Sequence, residues 1–123
     1  MFEHIDSRSP VPLYAQIAER VRLAVAAGEL SAGDALPSVR QLAARLRVNP
    51  ATIVQAYREL EGGGFVETRH GAGTFVRDVQ PSTRAAERAD AARRLAREFL
   101  AAAARVGIPP LELVDALQEE IAR

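Results

Sequence analysis

Apolar residues recur along this chain at two spacings, one helical and one alternating, and the places where the pattern breaks carry turn residues. Leu13, Ile17, Val21 and Val25 stand four apart with Ala18 and Ala24 beside them, which predicts a helix over 12–27. Ser9-Pro10-Val11-Pro12 before it is held extended by its prolines, and Gly28 after it is a usual helix stop. Residues 2–5 are short enough to be a strand. Gly33 and Pro37 mark a loop. Val39, Leu42, Ala43 and Leu46 then share one face of a short helix. Ile53, Ala56, Tyr57 and Leu60 follow at i, i+3, i+4 and i+7, and Gly62-Gly63-Gly64 ends that run. Two short β-like runs, 65–68 and 73–77, flank Arg69-His70-Gly71-Ala72 and read as a hairpin.

The capping chemistry sharpens the helix starts. Ser38-Val39-Arg40-Gln41 is a capping box, in which hydroxyl and amide side chains satisfy each other's backbone N–H groups. Asn49-Pro50 pairs an N-cap with a proline at the first helical position. The joint between these helices is three residues, Arg47-Val48-Asn49. Two short helices on a tight turn, followed by a hairpin, make a winged helix-turn-helix pattern over 1–78.

After Pro81-Ser82 the composition shifts to Ala and Arg. Ala85, Ala89, Ala92, Ala96, Phe99, Ala103 and Val106 alternate steps of four and three, a seam of mostly small residues that a partner helix can approach closely. Leu95 and Leu100 keep the phase with Phe99, against a disordered tail. Gly107-Ile108-Pro109-Pro110 breaks the run. A last helix, about 110–122, is expected to bury Leu111, Val114, Leu117 and Ile121. The fold class is therefore mainly α with a small β-hairpin wing. A two-helix tail over 81–123 follows.

Composition removes most chemistry. The chain has 123 residues, 48% of them apolar, which is one ordinary domain or a small domain with an appendage. All sixteen cations are arginine, so a lysine Schiff base and a Walker A loop are excluded. Cysteine is absent, which removes disulfides, thiol nucleophiles and cysteine metal sites. His4 and His70 are far apart and make a poor metal site. No apolar run is long enough to span a membrane. The N-terminus lacks a basic region followed by an apolar stretch, so the expected place is the cytoplasm. Glu59-Leu60-Glu61 and Glu119-Glu120 point in different directions on their helices and read as solvated faces. Neither an enzyme nor a cofactor is expected.

Charge placement points to nucleic acid. The whole chain is neutral, yet residues 38–59 hold Arg40, Arg45, Arg47 and Arg58 against the single acid Glu59. Arginine contacts to phosphate position a protein on DNA without reading sequence. The opening turn of the third helix presents Asn49, Ala51, Thr52, Val54 and Gln55, amide, hydroxyl and methyl groups suited to base edges in a major groove. Arg69, His70 and Gly71 form a charged hairpin tip, and Gly71 allows close backbone approach. Tyr57 is open to two readings, a hydrogen bond near a phosphate or core packing with a polar handle. The competing class is a winged-helix module that binds protein rather than DNA, which zero net charge would suit.

The order of these pieces resembles the GntR family of bacterial transcription regulators. The resemblance is carried by Pro12-Leu13-Tyr14-Ala15-Gln16-Ile17, Gly28-Glu29-Leu30, and Leu36-Pro37-Ser38-Val39-Arg40-Gln41-Leu42-Ala43. It continues through Val48-Asn49-Pro50-Ala51-Thr52-Ile53-Val54-Gln55-Ala56-Tyr57-Arg58-Glu59-Leu60-Glu61 and the wing Glu67–Val76. The short helical tail, about 81–123, resembles that of the YtrA subfamily, which implies that it is the dimerisation element through which the chain pairs with a second copy of itself. The resemblance implies a homodimeric repressor on a double-stranded, inverted-repeat operator, with DNA contacts from Arg40, Asn49, Thr52, Gln55, Arg69, His70 and Gly71. It implies no particular effector. Arg47 departs from the pattern, since the family usually has Gly there. A left-handed backbone at that site would cost an arginine roughly 1 kcal/mol. The triple glycine is also looser than the family's usual joint to the wing.

Overall fold

Two of the helices begin where side chains supply the backbone partners that a helix start lacks. The computed structural model describes residues 1–123 and divides them into two compact units, Met1–Arg88 and Ala89–Arg123. In the first unit the order is α1 (Leu13–Ala26), α2 (Val39–Leu46), α3 (Pro50–Gly62), β1 (Val66–Arg69) and β2 (Gly73–Val76). α4 (Pro81–Arg105) and α5 (Pro110–Ala122) follow.

The Gln16 side chain fixes the approach to α1. Its Nε2 donates to the Asp6 and Val11 carbonyls, each at 2.8 Å, and its Oε1 accepts from the Asp6 N–H at 2.8 Å. α2 starts with the full capping box: the Gln41 N–H donates to Ser38 Oγ at 3.1 Å, and the Ser38 N–H donates to Gln41 Oε1 at 3.0 Å. At the start of α3, Asn49 Oδ1 accepts from the Ala51 N–H at 2.9 Å. Between the two helices Arg47 takes φ 57 and ψ 48, a left-handed cap on a non-glycine residue.

α1 and α2 both pack on α3. Ile17, Val21, Leu42, Ile53, Leu60 and Val66 are fully enclosed at the centre of the core. Each such side chain contributes about 1.5–3 kcal/mol by leaving water. The wing is antiparallel, with Val66 opposite Val76 and Arg69 opposite Gly73. Gly71 (φ 76) and Gly73 (φ 120) supply the left-handed backbone of its tip. Residues 33–36, a loop by their sequence, line the free edge of β2. The Leu36 N–H donates to the Thr74 carbonyl at 2.9 Å, and the Val76 N–H to that of Asp34 at 2.8 Å. A bridge between Ala35 and Phe75 completes this cover.

One expectation changes, and the boundary between the units and the tail helices add detail to the rest. Residues 2–5 form a turn, not a strand, with the Ile5 N–H on the Phe2 carbonyl at 3.4 Å. Phe2 and Ile5 lean on the core instead. The Met1 carbonyl is taken by Arg20 Nε at 2.8 Å, so this segment is tied to a side chain and not to a strand edge. The first compact unit also extends past Pro81-Ser82. Arg88 Nη1 caps the α1 carbonyl of Ala26 at 2.7 Å, and Glu87 meets Arg22 at 3.7 Å, which fastens the first turns of α4 to the winged helix. Finally, no residue of α5 is buried by its own chain. Leu111 and Ile121 are 76% and 82% exposed, and Ala103 is the one buried residue of the tail helices.

Candidate nucleic-acid interface

Three elements of the first unit converge on one face. The α2 start (Ser38, Val39, Gln41) and the wing (Thr68–Thr74) enclose a cleft of about 480 Å³. A neighbouring hollow of about 300 Å³ joins Val39 of α2, Val54 and Arg58 of α3, and Thr68 and Thr74 of the wing. The wing is held at this distance by Glu61 at the end of α3, whose Oε2 accepts from the Thr68 N–H at 2.9 Å.

Most of the sequence-predicted contacts are exposed on this unit. Arg40, Arg47, Asn49, Gln55, Arg69, His70 and Gly71 are open to solvent, and Thr52 is half-buried. Asn49 has its carbonyl oxygen committed to the cap, which leaves its NH₂ as the outward group. Arg40, Arg45, Arg47 and Arg58 enter none of the ion pairs of the chain. Glu59, the one acid of 38–59, is met by Arg22 of α1 at 3.8 Å. Part of the opposing charge in this segment is thereby engaged from behind, and four cations stand free on it.

Tyr57 takes the second of its two readings. It is only 7% exposed, and its hydroxyl donates to the Pro37 carbonyl at 2.7 Å. Burial pushes its pKa up to about 12, against a smaller opposing effect of Arg45. The phenol's proton is therefore spent on fastening α3 to the segment leading into α2, and is not offered to a phosphate.

The wing arginine is oriented before any ligand arrives. Arg69 lies 4.5 Å above the Phe75 ring, and its Nε and Nη2 both donate to Glu67 Oε1, at 3.0 and 2.8 Å. The register explains this. Glu67 faces Phe75 and Arg69 faces Gly73, so all four share one face of the hairpin, and Gly73 leaves the space through which Arg69 leans over the ring. The sequence reading missed Phe75 and Glu67, although alternation along the two strands places them beside Arg69. It also missed Ser38 and Gln41 as walls of the cleft, having used both only as caps.

The comparisons with known proteins identify the family of this fold. Residues 13–76 match the family described as "Bacterial regulatory proteins, gntR family". The chain is 42% identical over 79 residues to the HTH-type transcriptional repressor YtrA of Bacillus subtilis. That stretch covers 64% of this chain and 61% of the repressor, so under two thirds of the relative's length is matched. A GntR family transcriptional regulator from Listeria monocytogenes superposes with a TM-score of 0.70 at 31% identity, over 93% of this chain and 97% of its own. YtrA of Sulfolobus acidocaldarius, a GntR-family transcription factor, superposes with a TM-score of 0.61 at 36% identity, over 78% of this chain and 99% of its own. The relatives are transcription regulators and not enzymes, and by the match over its winged helix this chain belongs to the GntR family of bacterial regulatory proteins.

Proposed function

We propose that the protein is a sequence-specific DNA-binding repressor that acts as a homodimer in the cytoplasm. The observation that carries the reading is the convergence of the α2 start, α3 and the wing on one face, beside a segment, residues 38–59, whose arginines enter no ion pair. α3 enters the major groove of the operator. Thr52 and Gln55 meet base edges, and Arg40 and Arg47 meet phosphates. Arg69, His70 and Gly71 of the wing lie along the adjacent backbone or minor groove.

The tail supports the dimer. Except for Val11, every exposed large apolar side chain of the molecule lies in residues 89–123. Exposed apolar side chains concentrated in one region mark an association site. Leu95 and Phe99 with Ala92 and Ala96 on α4, and Leu111, Val114, Leu117 and Ile121 on α5, form the surface that a second copy covers. Ala103 is already buried within the chain and backs this surface instead of contributing to it. Two-fold symmetry then matches an inverted repeat with half-sites about one helical turn, or a multiple of it, apart.

Fluorescence anisotropy with the DNA upstream of its own gene and with scrambled DNA, over a salt series, tests the reading. The expected result is tight binding to its own DNA alone, with log K falling steeply against log salt. Equal, weak binding to both would overturn it in favour of a winged-helix module that binds protein.

A further inference from the structure

The winged-helix unit contains another cavity, which shares Leu36 with the cleft between α2 and the wing. It measures about 370 Å³, within the range of small-molecule sites, and lies among the N-terminal segment, the loop before α2 and the end of α2. Its walls are mainly apolar: Phe2, Leu30, Leu36, Pro37 and Leu46, with Met1 at one side. Two charged side chains face it, Glu3 and Arg45. The Glu3 carboxylate is already neutralised by the N-terminal ammonium at 2.6 Å, a hydrogen bond that holds its pKa below the usual carboxylate range. Arg45 has no such partner. The cavity therefore offers apolar walls and one uncompensated cation.

We propose that this cavity binds a small amphipathic carboxylate, its head group on the Arg45 guanidinium and its hydrocarbon against Phe2, Leu36 and Leu46. Charge complementarity selects the class. An uncharged hydrocarbon would leave Arg45 unpaired, and an amine would be repelled by it. A guanidinium and a carboxylate form charge-assisted hydrogen bonds, about twice as strong as neutral ones. The position gives the ligand a purchase on the reading head. Pro37 lines the cavity, and its carbonyl is the group that holds the Tyr57 hydroxyl of α3. A molecule seated here therefore presses on the link between the α2 lead-in and α3. The binding itself stands apart from the DNA reading and is tested without DNA.

The test is a titration of the ¹⁵N-labelled chain with octanoate, below its micelle concentration, with octylamine and octan-1-ol as controls. Octanoate is expected to shift the amide signals of Leu30, Ala35 and Leu46 saturably, and to bind about tenfold or more tightly than octylamine. Arg45→Gln should weaken octanoate about tenfold and leave octan-1-ol unchanged. Arg45 is exposed, so the variant keeps the fold, and its amide spectrum shows this directly. Equal affinity for octanoate and octylamine would overturn the proposal. So would shifts confined to residues 89–123, the absence of saturable shifts, or an Arg45→Gln variant that binds octanoate unchanged.

Discussion

In residues 1–88 the side chains of Ile17, Val21, Leu42, Ile53, Leu60 and Val66 are closed off from water, whereas in residues 89–123 Leu95, Phe99, Leu100, Leu111, Val114, Leu117 and Ile121 all stand in it. Both regions are helical and both are rich in apolar residues. The difference lies in what each helix meets. α3 is met by α1 and α2, and its apolar stripe is used up within the chain. The tail helices carry the same kind of stripe, and their own chain buries only Ala103 of it. One region is therefore finished by intramolecular packing. The other leaves its stripe in water, and in the dimer proposed above a second copy covers it, which makes its state depend on protein concentration.

The largest expected effect is on the unfinished region. Phe99→Glu places a charge in the middle of the apolar surface, at a position 51% exposed in the single chain. The variant should sediment as a monomer and bind operator about 10²–10⁴-fold more weakly, since a monomer loses the second half-site. The winged-helix unit, packed within its own chain, should keep its fold. A variant that still sediments as a dimer would show that the tail surface has another use. The converse change is Leu60→Ala in the finished region. It removes a fully buried side chain and should lower stability by about 2–5 kcal/mol in thermal or urea denaturation, independently of protein concentration.

The same division decides how much was legible in the sequence. Ser38 with Gln41, Asn49 with Pro50, and the four-residue steps of α1 are local chemistry, and each stands where its own residues place it. Residues 2–5 have strand-like side chains, but strand formation needs an edge to pair with. The edge of β2 was already taken by residues 33–36, whose Gly and Asp read only as loop. The Tyr57 hydroxyl was undecidable for the same reason, since its partner Pro37 is twenty residues away in sequence. In the tail the apolar phase was readable, but not that Ala103 is spent inside the chain while its neighbours stay free.

Smaller effects separate the two kinds of contact on the winged-helix face. Thr52→Ala removes a hydroxyl and a methyl at the opening turn of α3. It should cost about 1–3 kcal/mol on operator DNA and relax specificity at one position. The check is the ratio of operator to random-DNA affinity, and an unchanged ratio removes Thr52 from the reading set. Arg40→Ala should weaken both DNAs alike and reduce the slope of log K against log salt by about one unit. Neither change should alter the sedimentation of the proposed dimer, since both residues lie outside the tail.

The smallest effect bears on a residue where stability and binding are in opposition. Arg47 holds φ 57 and ψ 48, a backbone that costs an L-residue about 1–2 kcal/mol and a glycine nothing. Its side chain is exposed and enters no ion pair, and the backbone bond of the turn, from the Val48 N–H to the Ala43 carbonyl at 3.0 Å, needs no side chain at 47, so the arginine side chain itself offsets none of that cost. Arg47→Gly should therefore raise stability by about 1 kcal/mol, less the extra freedom glycine gives the unfolded chain. For a unit of this size that is a rise of roughly 4 °C or somewhat less in Tm. The offset lies outside the chain if the guanidinium meets a phosphate, and the same variant should then lose about one unit of salt slope on DNA. A lower Tm would show that Arg47 stabilises the turn. A higher Tm with an unchanged slope would leave the strain without a function. A higher Tm together with a shallower slope would mean that the turn between α2 and α3 gives up stability for its grip on DNA.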